Sequence, residues 1–130
     1  MFVQNLNQKQ QAALLHYADA VMRADGEIDP KELVAMQVLH SQVQEGIKAE
    51  EVEISELPRI FKRKLSRVSF LLELAGMAYI DDEYEQREAK LVTDIAKVFD
   101  LQDCGTMAAI EQWVTDQFLM LKQAKNLMEE

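Results

Sequence analysis

An acidic turn that occurs twice, 56 residues apart, constrains this chain more than any other feature. Residues 25–32 read Asp-Gly-Glu-Ile-Asp-Pro-Lys-Glu, and residues 81–88 read Asp-Asp-Glu-Tyr-Glu-Gln-Arg-Glu. Each turn follows an apolar segment with helical spacing and leads into an amphipathic one. A unit that recurs at a fixed period predicts two similar helix–acidic turn–helix halves, at about 8–45 and 64–101.

The composition supports a helical fold. The chain has 130 residues, of which 48% are hydrophobic, but only 4 Gly and 2 Pro. So few turn-forming residues favour long helices with short connections over many short strands. We therefore predict an all-α fold: a compact bundle of six to seven helices that forms one domain over residues 1–130.

Start and stop signals divide the chain into these helices. Asn7 with Gln10 resembles a capping box, and Asp29-Pro30 is a strong helix start. Pro58 is compatible with the first turn of a short helix. Residues 48–55 are acidic and weakly periodic, which predicts one or two further helical turns.

The second half of the chain contains the most apolar segment. Residues 65–79 are apolar nearly all round, which predicts the most buried helix of the bundle. A C-terminal helix over about 104–128, capped by Asp103 or Thr106, should pack an apolar face that includes Trp113, Leu121 and Leu127.

The net charge of −9 restricts the partners of the chain. A surface this acidic repels nucleic acid and anionic lipid, so we expect neither as a main partner. Cys104 is the only cysteine, which is typical of a reducing compartment, and no apolar segment is long enough to span a membrane. We expect a cytoplasmic protein.

The two acidic turns are the candidate functional site. With four acids and one base in the first turn and five acids and one base in the second, they carry −3 and −4 of the charge. If the turns meet, their carboxylates repel one another unless a cation neutralises them, and hard cations such as Ca²⁺ or Mg²⁺ prefer such oxygen ligands. The candidate metal ligands are Asp25, Glu27, Asp29, Glu32, Asp81, Asp82, Glu83 and Glu88.

Helix capping is the competing interpretation of the same residues. Asp29 and Glu32 stand where a cap and the third helical residue belong, and acids in a first turn interact favourably with the helix dipole. An EF-hand is excluded by spacing, because Gly26 falls at the second loop position and Met36 where the bidentate Glu should be. We expect Gly26 to have a positive φ, which would let the chain reverse there.

The first turn also carries a family resemblance. An apolar helix that ends in Ala-Asp-Gly-Glu-Ile-Asp-x-x-Glu, at residues 24–32, resembles the TerB family, which is linked to tellurite resistance, and the N-terminal domain of DjlA-type membrane-anchored co-chaperones. The family also has a second acidic turn and a helix that ends like residues 96–101, although Asp82 replaces a common Gly. The resemblance implies an all-helical fold, a role in stress responses and an acidic surface that binds metal.

Two hypotheses for function follow. The first is a non-enzymatic stress-response module that uses an acidic, cation-binding surface to assemble with other proteins. The alternative is a metal-dependent enzyme that uses the clustered carboxylates. The basic stretch 59–64 makes the molecule dipolar, which would suit docking on a membrane-associated complex or association into a homodimer.

Overall fold

The computed structural model describes residues 2–24, 30–79, 86–102 and 105–129, with the backbone alone for 86–88. These residues form helices and their connections, with no strand among them. Short 3-10 helices lie at Val3–Asn5 and Ile54–Glu56. The α-helices are α1 (Gln8–Arg23), α2 (Pro30–Gln42), α3 (Leu57–Ile60), α4 (Lys64–Ala78), α5 (Gln86–Val98) and α6 (Thr106–Met128). The all-α prediction is confirmed.

The start of α1 follows directly from its sequence. The Asn7 side chain accepts a hydrogen bond from the Gln10 N–H at 2.8 Å, and the Gln10 side chain accepts one from the Asn7 N–H at 2.9 Å. This reciprocal capping box satisfies two backbone donors that a helix start otherwise leaves exposed. In contrast, α6 begins after Gly105, which has a φ of 79° and no side chain, so Thr106 is not the cap and Asp103 lies outside the described residues.

The centre of the bundle is α4, which packs against α1, α5, α6 and the N-terminal 3-10 helix. Leu71 and Leu74 are fully buried within it. The prediction that this helix is the most buried is nevertheless wrong. Ten of the sixteen residues of α1 are buried, against eight of fifteen in α4. The reason is that the first turn of α4 faces solvent, where Leu65 is 61% exposed.

A cluster of aromatic rings joins α4 to α5. The ring of Phe70 lies 4.5 Å from that of Phe61 and 6.0 Å from that of Phe99, between centroids, and all three side chains are fully or almost fully buried. Aromatic rings of this size contribute a large share of the burial in a small core. The three rings therefore fix α5 and the residues before α4 against the same face of α4.

The helix bounds repeat at the spacing of the acidic turns. Adding 56 to α1 gives 64–79, against 64–78 for α4, and adding 56 to α2 gives 86–98, the bounds of α5. Seven of the eight buried residues of α4 also have a buried counterpart in α1. Superposition of the two halves in space stays a prediction.

The connection between the halves differs from its prediction. Residues 47–53 form no helix, because tertiary hydrogen bonds hold this segment across α1. The Glu50 N–H donates to the Ala12 carbonyl at 3.1 Å, and the Tyr17 hydroxyl donates to the Val52 carbonyl. Burial raises the pKa of Tyr17, and the negative charges of Glu51 and Glu53 raise it further.

Candidate functional site

The acidic turns lie almost wholly outside the described residues. Six of the eight candidate ligands fall there, together with Gly26: Asp25, Glu27, Asp29, Asp81, Asp82 and Glu83. Glu88 belongs to α5, where only the backbone is described. Glu32 is the third residue of α2 and only 5% exposed. That position suits the capping interpretation of Glu32, and whether the eight carboxylates converge stays untested.

The described part of the chain contains no other candidate metal centre. Within residues 2–24, 30–79, 86–102 and 105–129, no three or more His, Cys, Asp or Glu side chains gather in a way that could hold a metal ion. The cation site therefore remains a prediction from sequence.

The geometry does reveal an apolar groove between α2, α4 and α6. It encloses about 300 Å³. Three of the residues that line it are polar: Gln42, Glu73 and Gln117. The others are small or apolar and come from all three helices and the chain start: Phe2, Ala35, Val38, Leu39, Leu72, Gly76, Met77, Trp113, Val114, Phe118 and Leu121. We call this feature the α2–α6 groove.

The chain start forms one wall of the α2–α6 groove. The Phe2 N–H donates a hydrogen bond to the Glu73 carboxylate at 2.8 Å, and the Phe2 ring meets the Trp113 ring edge-on with 5.4 Å between centroids. Glu73 is thus occupied in holding Phe2, which suits a positioning role in the wall. Apolar walls with a few polar groups are typical of sites that bind a ligand or a protein segment.

The mouth of the groove is open to solvent. Val38 on α2 is 50% exposed and Leu121 on α6 is 64% exposed, although both line the groove. Beyond the groove α6 continues alone, because every residue from 119 to 129 is exposed. Adjoining apolar surface of this kind on a small domain marks an interaction site.

Sequence reasoning missed this site because it assigned the apolar residues of α6 to the core. Trp113, Leu121 and Leu127 were expected on a packed face, but they are 36%, 64% and 87% exposed. Spacing could have signalled the difference. Adjacent apolar pairs recur every seven residues along α6, at Trp113-Val114, Met120-Leu121 and Leu127-Met128, and such a repeat is typical of helices that pair with another helix.

The comparisons with known proteins add no family. No family model matches the chain, and neither a curated protein nor a solved structure matches it. Among the described residues, no helix combines the length and the apolar character that a bilayer crossing requires. The function must therefore be argued from the site itself.

Proposed function

We propose that this chain is a non-enzymatic protein-interaction module whose binding surface is the α2–α6 groove. The observation that carries the proposal is the groove itself, an open apolar cleft of about 300 Å³ flanked by exposed apolar side chains on two helices. An amphipathic helix is the natural ligand for such a cleft, because it can lay an apolar face along the groove while its polar face stays in water. The TerB resemblance of residues 24–32 supports a role of this module in a stress response.

A synthetic amphipathic helix of leucines and lysines is a direct probe of the groove. Trp113 is the only tryptophan, and it lines the groove, so its fluorescence reports on occupation. We expect the peptide to shift the Trp113 emission to shorter wavelength in a saturable manner at near-physiological salt. Screening at that salt reduces the general attraction of a cationic peptide to a chain of net charge −9.

Two valines of α2 provide a matched pair of variants. Val34 and Val38 are 57% and 50% exposed, but only Val38 lines the groove. Val38→Gln should weaken peptide binding roughly tenfold, a change of about 1.4 kcal/mol, whereas Val34→Gln should leave it unchanged. Equal effects of the two substitutions, or an emission that does not respond to the peptide, would show that the groove is not the binding surface.

The acidic turns give the proposal a cation-dependent part. If Asp25, Glu27, Asp81 and Glu83 share one Ca²⁺ or Mg²⁺, either ion should raise the melting temperature, since a ligand of the folded state stabilises it by mass action. Changing these four residues to Asn and Gln should abolish that rise and stabilise the metal-free protein by relieving repulsion. The capping interpretation predicts no cation effect and the largest losses at Asp29 and Glu32. Thermal melts with and without each cation, supported by calorimetric titration, distinguish the two.

A further inference from the structure

The exposed half of α6 has the pattern of a helix that pairs with a copy of itself. Trp113, Met120 and Leu127 stand seven residues apart and form one apolar row, which Leu121 and Met128 widen. We call these five residues the α6 stripe. Only the first part of the stripe lies beside the groove, and residues 119–129 extend past the fold with every residue exposed.

We propose that the occupant of the α2–α6 groove is the α6 helix of a second copy of this chain, packed antiparallel about a twofold axis near Met120. This inference rests on the proposed function, because it names the partner of the same groove. About that axis, Leu127 of each copy lies level with Trp113 of the other, since both are seven residues from Met120. The part of the α6 stripe that has no cover within its own copy thereby covers the groove mouth of its partner.

The surface available is close to what a stable dimer needs. Six exposed apolar side chains face this side of α2 and α6, namely Val38, Trp113, Met120, Leu121, Leu127 and Met128, with exposed fractions from 36% to 87%. Together they offer on the order of 700 Å² per copy, against roughly 800 Å² per partner in a standard interface. A twofold contact is self-complementary, so one stripe and one groove per copy are sufficient.

The charge distribution favours the same face. Residues 112–129 contain two acids, Asp116 and Glu129, and two bases, Lys122 and Lys125, so their net charge is zero and the rest of the chain carries the −9. Two copies that met elsewhere would bring strongly acidic surfaces together, whereas this stretch brings together neutral ones. The remaining long-range repulsion should be screened by salt, so the dimer should become tighter as ionic strength rises.

Sedimentation equilibrium of the full chain tests the inference with two adjacent residues. Met120 is 61% exposed and belongs to the α6 stripe, whereas Leu119 is 52% exposed and lies about 100° away around the helix. We expect the wild type and Leu119→Glu to sediment as dimers, and Met120→Glu as a monomer, because the axis brings the two new carboxylates together. A wild type that stays monomeric at high protein concentration and high salt overturns the inference, as does a Leu119→Glu variant that dissociates equally.

A charge swap tests the position of the axis. Met120→Glu and Met120→Lys should each be monomeric, but an equimolar mixture should form a heterodimer, because opposite charges then meet at the axis. Failure of the mixture to dimerise overturns the antiparallel arrangement about Met120.

The leucine–lysine peptide separates this inference from the proposed function. The monomeric Met120→Glu variant keeps every groove residue and should bind the peptide at least as tightly as the wild type, whose groove is occupied. A monomeric wild type that binds the peptide through Val38 overturns the second copy as occupant and leaves the groove function standing. A chain that neither dimerises nor binds the peptide overturns both.

Discussion

The two helix pairs of this chain share their bounds but not their environments. The second pair, α4–α5, is covered on several sides, since α5 packs against α1, α3 and α4 and buries Val92, Ile95 and Ala96. In the first pair, α2 packs mainly against α1 and leaves Leu33, Val34 and Val38 half exposed. The same local pattern therefore yields a structural helix in one half and a binding surface in the other. The difference lies in which neighbours each helix has.

The largest expected effect concerns equivalent buried residues of α5 and α2. Leu39 and Ile95 are 56 residues apart and at most 3% exposed. Ile95→Ala should lower the free energy of unfolding by about 4 kcal/mol, and Leu39→Ala by about 2 kcal/mol, because water can enter the cavity that the second leaves beside the groove. Urea denaturation measures both. Equal losses would mean that α2 is held as firmly as α5, and the comparison of the two halves would break.

The next effect concerns two polar residues at equivalent positions. The Gln11 side chain donates to the Leu6 carbonyl at 2.9 Å and accepts from the Gln44 N–H at 2.8 Å. Arg67, 56 residues later, donates to the Phe61 and Phe99 carbonyls at 2.6 Å and 3.1 Å. Each side chain thus ties the segment before its helix pair to the segment after it.

Replacing either residue by Met should leave these backbone groups without their partners. We expect Gln11→Met to cost about 2 kcal/mol, because Gln11 is only 2% exposed and water cannot replace its bonds. Arg67→Met should cost about 1 kcal/mol, since its carbonyl partners can be reached by water more easily. Hydrogen exchange of the Gln44 amide should accelerate in Gln11→Met alone. An unchanged exchange rate would argue that Gln11 does not hold the end of the first helix pair.

A smaller effect concerns Tyr17 and its counterpart Glu73, each of which holds a non-helical segment. Tyr17→Phe removes the hydrogen bond to the Val52 carbonyl and should cost about 1 kcal/mol at neutral pH. Because the pKa of Tyr17 is raised above 10 in the folded state, its contribution is complete below pH 10 and is lost as the pH rises through the folded pKa. The alkaline decline in stability should therefore be shallower in Tyr17→Phe. Parallel pH profiles would show that Tyr17 is not the group responsible.

The smallest effect concerns the end of α5. Asp100 has a φ of 60°, and two hydrogen bonds form a Schellman motif around it, from the Leu101 N–H to the Ala96 carbonyl and from the Asp100 N–H to the Lys97 carbonyl. Glycine is the residue that this position favours, so Asp100→Gly should stabilise the protein by about 0.5 kcal/mol. Gly46, after α2, has a φ of 87°, and Gly46→Asp should destabilise it by about 1 kcal/mol. Thermal melts that show the same sign for both changes would contradict this account.

Local sequence signals predicted the helices well where their causes are local. The capping box of Asn7 and Gln10, the Pro at the start of α2 and the helical spacing of apolar residues act within one or two turns. The helical turns predicted over 48–55 were wrong for 48–53 because that segment is fixed by α1, a partner far away in sequence. The acidic turns were found from sequence, but whether their charges meet depends on contacts between the halves.

The sequence by itself thus determined the all-α class, the period of 56 residues and most helix bounds, because propensity, capping and periodicity are properties of neighbouring residues. Only the tertiary structure decided which apolar faces are covered. Val34 and Val92 are both apolar residues on amphipathic helices, yet one is 57% exposed and the other fully buried. Burial depends on which helices lie beside a face, and in this chain the mutual arrangement of α2, α4 and α6 leaves the groove and the α6 stripe open to a partner.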